Sequence, residues 1–275
     1  MKHTSIFDHD LHIHSYVSMC SNDPEQNPQR ILQYAEENGL RDICLTDHFW
    51  DSDIPVVDNY FVAGPWPAFA RSQPLPQSDN IRFHFGCEAD LDRNMVLGVT
   101  PERYDDLDLI IIATTHMHMK YMTIGKEYCS VEGRAEMYVK RLDAVLDMDL
   151  PFHKVSIAHP TCSLLAPGEN FPNTDWQDHM RVLDLIPDAT YRELFGKMAK
   201  LGVGFELNFE PNQYTAEDLP RILRPHLIAK ECGCKFYFGS DAHHPAGLDA
   251  AMDRFHRMAE LVGVCKEEDI FRPFD

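Results

Sequence analysis

The sequence predicts a parallel α/β fold whose seven strands form a closed, or nearly closed, barrel. Three observations carry that prediction. Apolar runs recur at fairly regular intervals, at 10–15, 42–48, 81–90, 107–116, 154–159, 203–209 and 235–243. Helical patterns separate most of them, and no hairpin turn signal follows any of them, so adjacent strands run parallel and need crossover connections. The length, 275 residues, also suits one α/β barrel, for which about 250 is typical.

Taken in order, run 10–15 is short and leads into a loop rich in Ser, Asn, Asp and Pro. Pro28 then opens a helical pattern through Ile31, Leu32, Tyr34 and Ala35 that stops at Asn38 and Gly39. Proline just inside a helix start and glycine just past its end are the favoured terminal signals. Run 42–48 completes a β-α-β unit. Residues 49–80 break the rhythm, because Phe49, Trp50, Tyr60, Phe61, Trp66 and Phe69 are interleaved with Pro55, Pro65, Pro67, Pro74 and Pro76. Such a composition fits neither a regular helix nor a central strand, and a lid-like insertion over a site is expected there. Further helices are expected at 132–146, 189–201, 216–231 and 248–261, the third kinked or split by Pro220 and Pro225. Cys232 and Cys234, with only Gly233 between them, mark the end of that helix and the start of the last strand.

Composition narrows the partners. Hydrophobic content of 44% and charged content of 25% are ordinary for a folded protein. A net charge of −19, spread along the chain, repels phosphate backbones, so long nucleic acids are not expected as partners. The eight cysteines lack the density of a disulfide scaffold and several fall in apolar runs, which points to a reducing, cytoplasmic setting. No apolar run approaches the ~20 residues of a membrane span, and the N-terminal segment has no signal-like apolar stretch.

Metal-type residues gather at the C-terminal ends of the runs. His12 and His14, one residue apart, project from one face of an extended segment, and Asp241 and His243 repeat that spacing. Run two ends with His48, run three with Glu88, run four with His116 and run five with His159. In parallel barrels the C-terminal rim is where residues from different strands converge, so a single centre is expected. Alternation predicts inward faces made of His84, Gly86 and Glu88, of Ile112, Thr114 and His116, and of Val155, Ile157 and His159. Run six offers Glu206 and Asn208, of which Asn208 is expected to orient a substrate. Arg71, Arg93 and Lys120 are candidates to meet a phosphate, and Asp47 is a candidate to orient an imidazole. His118 and His244 flank candidate ligands. His84, mid-run, is read as structural, as are His3, His9, His179, His226 and His256.

In these motifs and their order the chain resembles the polymerase and histidinol phosphatase (PHP) family. The residues that carry the resemblance are Asp10-Leu11-His12-Ile13-His14-Ser15, Leu45-Thr46-Asp47-His48, Gly86-Cys87-Glu88-Ala89, Thr115-His116, Ala158-His159-Pro160 and Gly239-Ser240-Asp241-Ala242-His243. They span nearly the whole chain. The resemblance implies a distorted (β/α)7 barrel, one domain over 1–275, holding two or three divalent ions (Zn, Mn or Fe). It implies a first site of His12, His14, Glu88 and Asp241, and a second of His116 and His159 bridged by Glu88. A third would take His48, His243 and Cys20, where family members commonly carry Asp or His. A thiolate there favours zinc over magnesium or calcium, with Asp23 as a nearby substitute. The implied activity is hydrolysis of a small phosphate monoester, histidinol phosphate or similar, by a hydroxide bridging two ions, with Asp241 and Glu88 as catalytic residues. Phosphodiester or nuclease activity on short nucleotides, and metal binding without turnover, are the alternatives. Amidohydrolases also open with H-x-H, but their bridging group is usually a modified lysine on strand four, where this chain has His116.

Overall fold

In the computed structural model, which describes residues 5–21, 23–55, 65–119, 122–166 and 178–275, the seven runs become nine strands because two of them are interrupted. The strands are β1 (His9–Ile13), β2 (Asp42–Leu45), β3 (His48–Phe49), β4 (Arg82–Phe85), β5 (Cys87–Asp90), β6 (Ile110–Ala113), β7 (Val155–Ile157), β8 (Gly204–Leu207) and β9 (Lys235–Phe238). The helices are α1 (Pro28–Asn38), α2 (Trp66–Phe69), α3 (Val131–Asp147), α4 (Asp178–Asp184), α5 (Asp188–Leu201), α6 (Leu219–Glu231), α7 (Pro245–Asp249) and α8 (Ala251–Val262). Local chemistry accounts for their ends. In α1 the Asn27 side chain accepts from Arg30 N–H, Pro28 sits in the first turn, and Gly39 takes the left-handed conformation that closes the helix at φ 64°. Its buried face is Ile31, Leu32, Tyr34 and Ala35, the spacing of one helical side.

Every strand pair is parallel, in the orders β1-β2-β4 and β3-β5-β6-β7-β8-β9. The two sheets meet at Gly86, between β4 and β5. A Cβ at this residue would lie 2.5 Å from the Leu109 carbonyl oxygen and 3.0 Å from Cys44 Sγ, so only glycine lets the chain pass this close to its neighbours. At the far edges, Asp241 N–H donates to the His12 carbonyl (2.7 Å) and His14 N–H to the Ala242 carbonyl (3.1 Å), tying the extension of β9 to the end of β1. The distorted barrel expected from sequence is therefore the architecture observed.

Among the described residues, buried apolar side chains form two large clusters divided by the sheet and a small third of Trp50, Met119 and Met122. Leu11, Cys44, Leu109, Ile111, Ala113, Ala158, Tyr237 and Phe271 pack together within the barrel. Ile110, Ile112, Val155, Ile157, Phe236 and Phe238 belong to the larger cluster that includes the helices' buried faces. Two of the expected inward faces are thus corrected, since Ile112, Val155 and Ile157 point to the helical layer. Alternation failed there because β6 stops at Ala113 and β7 at Ile157, before the histidines it was meant to aim. β1 carries its own irregularity, a register shift between Asp10 and Ile13.

The helix expected at 216–231 is one helix, with Pro220 in its first turn and Pro225 inside it, whereas the one expected at 248–261 divides into α7 and α8. Of the insertion at 49–80, residues 56–64 lie outside the described residues. Its described part packs inward, with Phe69 and Leu75 buried and Phe49, Trp66, Phe69 and Phe85 in mutual ring contact. No described helix is long and apolar enough to cross a membrane.

Candidate metal centre

Glu88 is the hub. It lies on β5, in register with His48 of β3 and Ile111 of β6, and is 1% exposed. Its Oε2 lies 3.5 Å from His12 Nε2, 3.3 Å from His14 Nε2 and 3.1 Å from His48 Nδ1. Its Oε1 lies 2.9 Å from His159 Nε2 and 3.7 Å from His116 Nε2. Asp241 Oδ1 completes the near side at 3.5 Å from His12 Nε2 and 3.2 Å from His14 Nε2. Three groups of side chains could each hold an ion, with ligand atoms within 4.8 Å of one another: His12, His14, Glu88 and Asp241; Glu88, His116 and His159; and His14, Cys20, His48 and His243. All nine residues proposed from sequence as ligands fall in these groups. Asp23 does not, and its carboxylate accepts the Glu25 N–H instead.

Most of these side chains leave regular strand to reach the centre. His159 (φ 25°) and Asp241 (φ 53°) hold left-handed backbone, which costs a non-glycine residue of order 1–3 kcal/mol and persists only where the surroundings impose it. The surroundings here are specific. His159 N–H donates to Glu206, its carbonyl accepts from Thr115 Oγ1 at 3.3 Å, and Asp241 N–H is held by the His12 carbonyl.

The imidazole nitrogens facing away from the centre are also held. His12 Nδ1 meets Glu206 Oε1 at 2.8 Å, His116 Nδ1 meets Asp90 Oδ1 at 2.7 Å, His159 Nδ1 meets Thr115 Oγ1 at 2.9 Å and His14 Nδ1 meets Ser18 Oγ at 2.8 Å. A carboxylate partner keeps the proton on Nδ1 and leaves the Nε2 lone pair pointing inward, the arrangement found behind metal-binding histidines. His12 and His14 then aim Nε2 atoms only 3.1 Å apart, against two carboxylate oxygens. Lone pairs and carboxylates repel at that distance unless a cation lies among them, so the donor set fits divalent metal.

The electrostatics agree. Burial opposes a charge on His14, but the Asp241 and Glu88 carboxylates outweigh it and raise its pKa to about 9. The same opposition, with Glu206, Asp241 and Glu88 winning, raises His12 well above the imidazole range. Glu88 and Asp241 are driven down despite their burial, because histidines surround them. Burial instead lowers His48 and His243 to about 4, so both are neutral imidazoles near neutral pH. Burial together with Glu88 and Asp241 pushes the Cys20 thiol up to about 12.

Sequence reasoning named Glu206 without assigning it a role and passed over Asp90, Thr115 and Ser18 as supporting residues. Glu206 is fully buried and links His12 to the His159 backbone. Gly239 makes room for it, since a Cβ there would meet both Glu206 Oε1 and, at 2.6 Å, His12 Cβ. Asp47 was expected on an imidazole. Its carboxylate instead accepts from Ser15 N–H and Ser15 Oγ, both at 2.7 Å, and so fixes the turn after His14. Asn208, beyond the end of β8, is 9% exposed with Nδ2 unpartnered among the described residues. Arg71 is exposed, its guanidinium 5.9 Å from the Tyr16 ring in the loop that follows His14. Lys120 lies outside the described residues. His84 is structural, bonded to Asp42 at 2.8 Å and stacked on Phe274.

No protein-family profile matches the chain, and no curated protein matches it. Solved structures do. Histidinol phosphate phosphatase from Lactococcus lactis subsp. lactis Il1403, crystallised with zinc, L-histidinol and phosphate, aligns with a TM-score of 0.54 over 93% of this chain and 94% of that one, at 15% identity. The chain shares that fold. A Listeria monocytogenes protein assigned as a histidinol phosphatase aligns with a TM-score of 0.54 over 87% of this chain and 96% of that one, at 14% identity. The motifs that carried the family resemblance in sequence thus lie on the architecture it implied.

Proposed function

We propose that the protein is a metal-dependent phosphoric monoester hydrolase acting on a small phosphorylated substrate, histidinol phosphate or similar. The observation that carries this reading is three adjoining ligand groups, two of them sharing Glu88 and the first and third sharing His14. The Lactococcus neighbour of the same fold, with its zinc, L-histidinol and phosphate, supports the substrate class. Two or three divalent ions, of Zn, Mn or Fe, held by His12, His14, Cys20, His48, Glu88, His116, His159, Asp241 and His243 would activate water and neutralise phosphoryl charge.

The chain's own residues supply the rest. Glu88, with both oxygens engaged, sets the spacing of the first two sites. Asp241, whose side chain is 27% exposed, can accept a hydrogen bond from an attacking water and so orient it. Asn208, with an unused amide donor, can fix a substrate oxygen. Arg71 and Lys120 are both retained from sequence as candidates to meet a phosphate or the anionic end of a substrate.

Purified protein reconstituted with zinc or manganese should release phosphate from an aryl monoester and from histidinol phosphate. Glu88→Ala and Asp241→Ala should each lower kcat by at least about a hundredfold while the circular dichroism spectrum is kept. Full activity in either variant removes that residue from the mechanism. Turnover confined to diesters selects the phosphodiesterase alternative, and bound metal without turnover of either ester class selects the non-catalytic one.

A further inference from the structure

We infer that Arg141, fully buried on α3, is a positioning residue for the second ligand group, holding His116 and His159 in place against Glu88. The inference rests on the metal-centre reading and deepens it. Strands β5 and β6 stay in register as far as Asp90 and Ala113, and the residues that follow, Leu91 and Thr114, are buried like the strands themselves. Main-chain carbonyls in such a place need donors. Arg141 supplies them. Its Nε donates to the Thr114 carbonyl at 2.7 Å, its Nη1 to the carbonyls of Thr123 at 2.8 Å and Leu91 at 3.2 Å, and its Nη2 to those of Leu91 and Ala113, both at 3.3 Å. Three separate segments thus close on one planar guanidinium, whose N–H groups have a fixed geometry. Burial lowers its pKa only to about 10, so the cation persists at neutral pH.

What these carbonyls adjoin connects the grip to metal. Leu91 follows Asp90, whose carboxylate holds His116 Nδ1, and Thr114 precedes Thr115, whose hydroxyl holds His159 Nδ1. A shift of either segment therefore turns one of the two imidazoles grouped with Glu88. Arg134, seven residues earlier and so on the same side of α3, donates to the Leu165 carbonyl at 3.3 Å, in the segment after His159. Helix α3 is in this way fastened beyond the ends of β5, β6 and β7, the strands that lead to Glu88, His116 and His159. A lysine at 141 would present a single compact ammonium, which cannot span the three segments as the guanidinium fork does.

Manganese binding followed by electron paramagnetic resonance tests this. Wild-type protein holding two ions that share Glu88 should give an exchange-coupled signal. Arg141→Lys should lose most of that signal at matched metal, keep the six-line signal of an isolated ion, and bind its weaker ion at least about tenfold less tightly than wild type. Leu142→Ala opens a cavity in the same helix without touching those carbonyls, and it should keep both the coupled signal and the affinities. Coupling is reciprocal, so filling the second group in wild-type protein should slow hydrogen–deuterium exchange in residues 112–119 and in α3 more than in α6. If Arg141→Lys does not fold, this exchange measurement decides. Wild-type coupling and affinity in Arg141→Lys, or an equal loss in Leu142→Ala, overturns the inference and leaves the metal centre standing. Exchange slowed no more in α3 than in α6 does the same. Wild-type protein that binds no second ion overturns both readings.

Discussion

His12 can offer a lone pair to an ion only if its other nitrogen keeps the proton, and the Glu206 carboxylate, 2.8 Å from Nδ1, holds it there. Glu206→Gln keeps the shape but replaces the anion with an amide that can present either a donor or an acceptor. Metal affinity should fall about 10–100-fold, measured by chelator competition, with the fold intact. An unchanged affinity would show that Glu206 serves packing alone. A signal for this residue existed in the sequence, because Glu206 is the one carboxylate in run 203–209. Nothing in the spacing tied it to His12, 194 positions away. Most of the clustered residues were legible because they close apolar runs and several come in short-range pairs such as His12 with His14, whereas Cys20, in a loop, came only from the family resemblance. Supporting residues have no such signature, which is why Asp47 was paired with the wrong partner and Asp90, Thr115 and Ser18 were passed over.

The strands and helices show the same boundary between what pattern reveals and what packing decides. Seven apolar runs and the main helices were readable from periodicity, but the break at Gly86 depends on how near Leu109 and Cys44 approach, a distance that no local pattern encodes. The alternation test misplaced Ile112, Val155 and Ile157 because it extended strand geometry through residues whose backbone turns away, His159 at φ 25° among them. Helix α6 carries a consequence of its packing. His226 is fully buried between the Phe205 and Phe209 rings, its Nδ1–H donates to the Ile222 carbonyl at 3.0 Å, and its Nε2 has no hydrogen-bond partner among the described residues. Burial lowers its pKa from 6.5 to about 4, so the folded chain binds this proton less readily than the unfolded chain does. The stability it contributes is complete above pH 6.5 and is lost as pH falls through about 4, amounting to about 3 kcal/mol. Urea unfolding at pH 7 and pH 4 should show this loss, and His226→Leu should make the acid-side decline shallower by that share. An identical decline in the variant would place the proton elsewhere.

For the molecule as a whole, the charge of −19 and the carboxylates at the barrel mouth work in one direction, drawing small cations in and keeping polyanions out. Ions that bind only the folded chain stabilise it by mass action, each by about 2.7 kcal/mol when free metal is a hundredfold above its Kd. Chelation should therefore lower the melting temperature, and zinc added back should restore it. A melting temperature indifferent to chelator would argue against metal in the native centre. The barrel was legible at this scale because its strand ends carry the chemistry, while the route of residues 49–80 was not, since aromatic and proline content specifies packing without direction. The seam between the first and last strands also sets an order of events in time. His12 and His14 are synthesised well before Asp241 and His243, and the backbone bonds from Asp241 to His12 and from His14 to Ala242 join them. A nascent polypeptide would have only half a nest for its ions until the stave bearing Asp241 had left the ribosome, so a complete set of donors cannot form before that point.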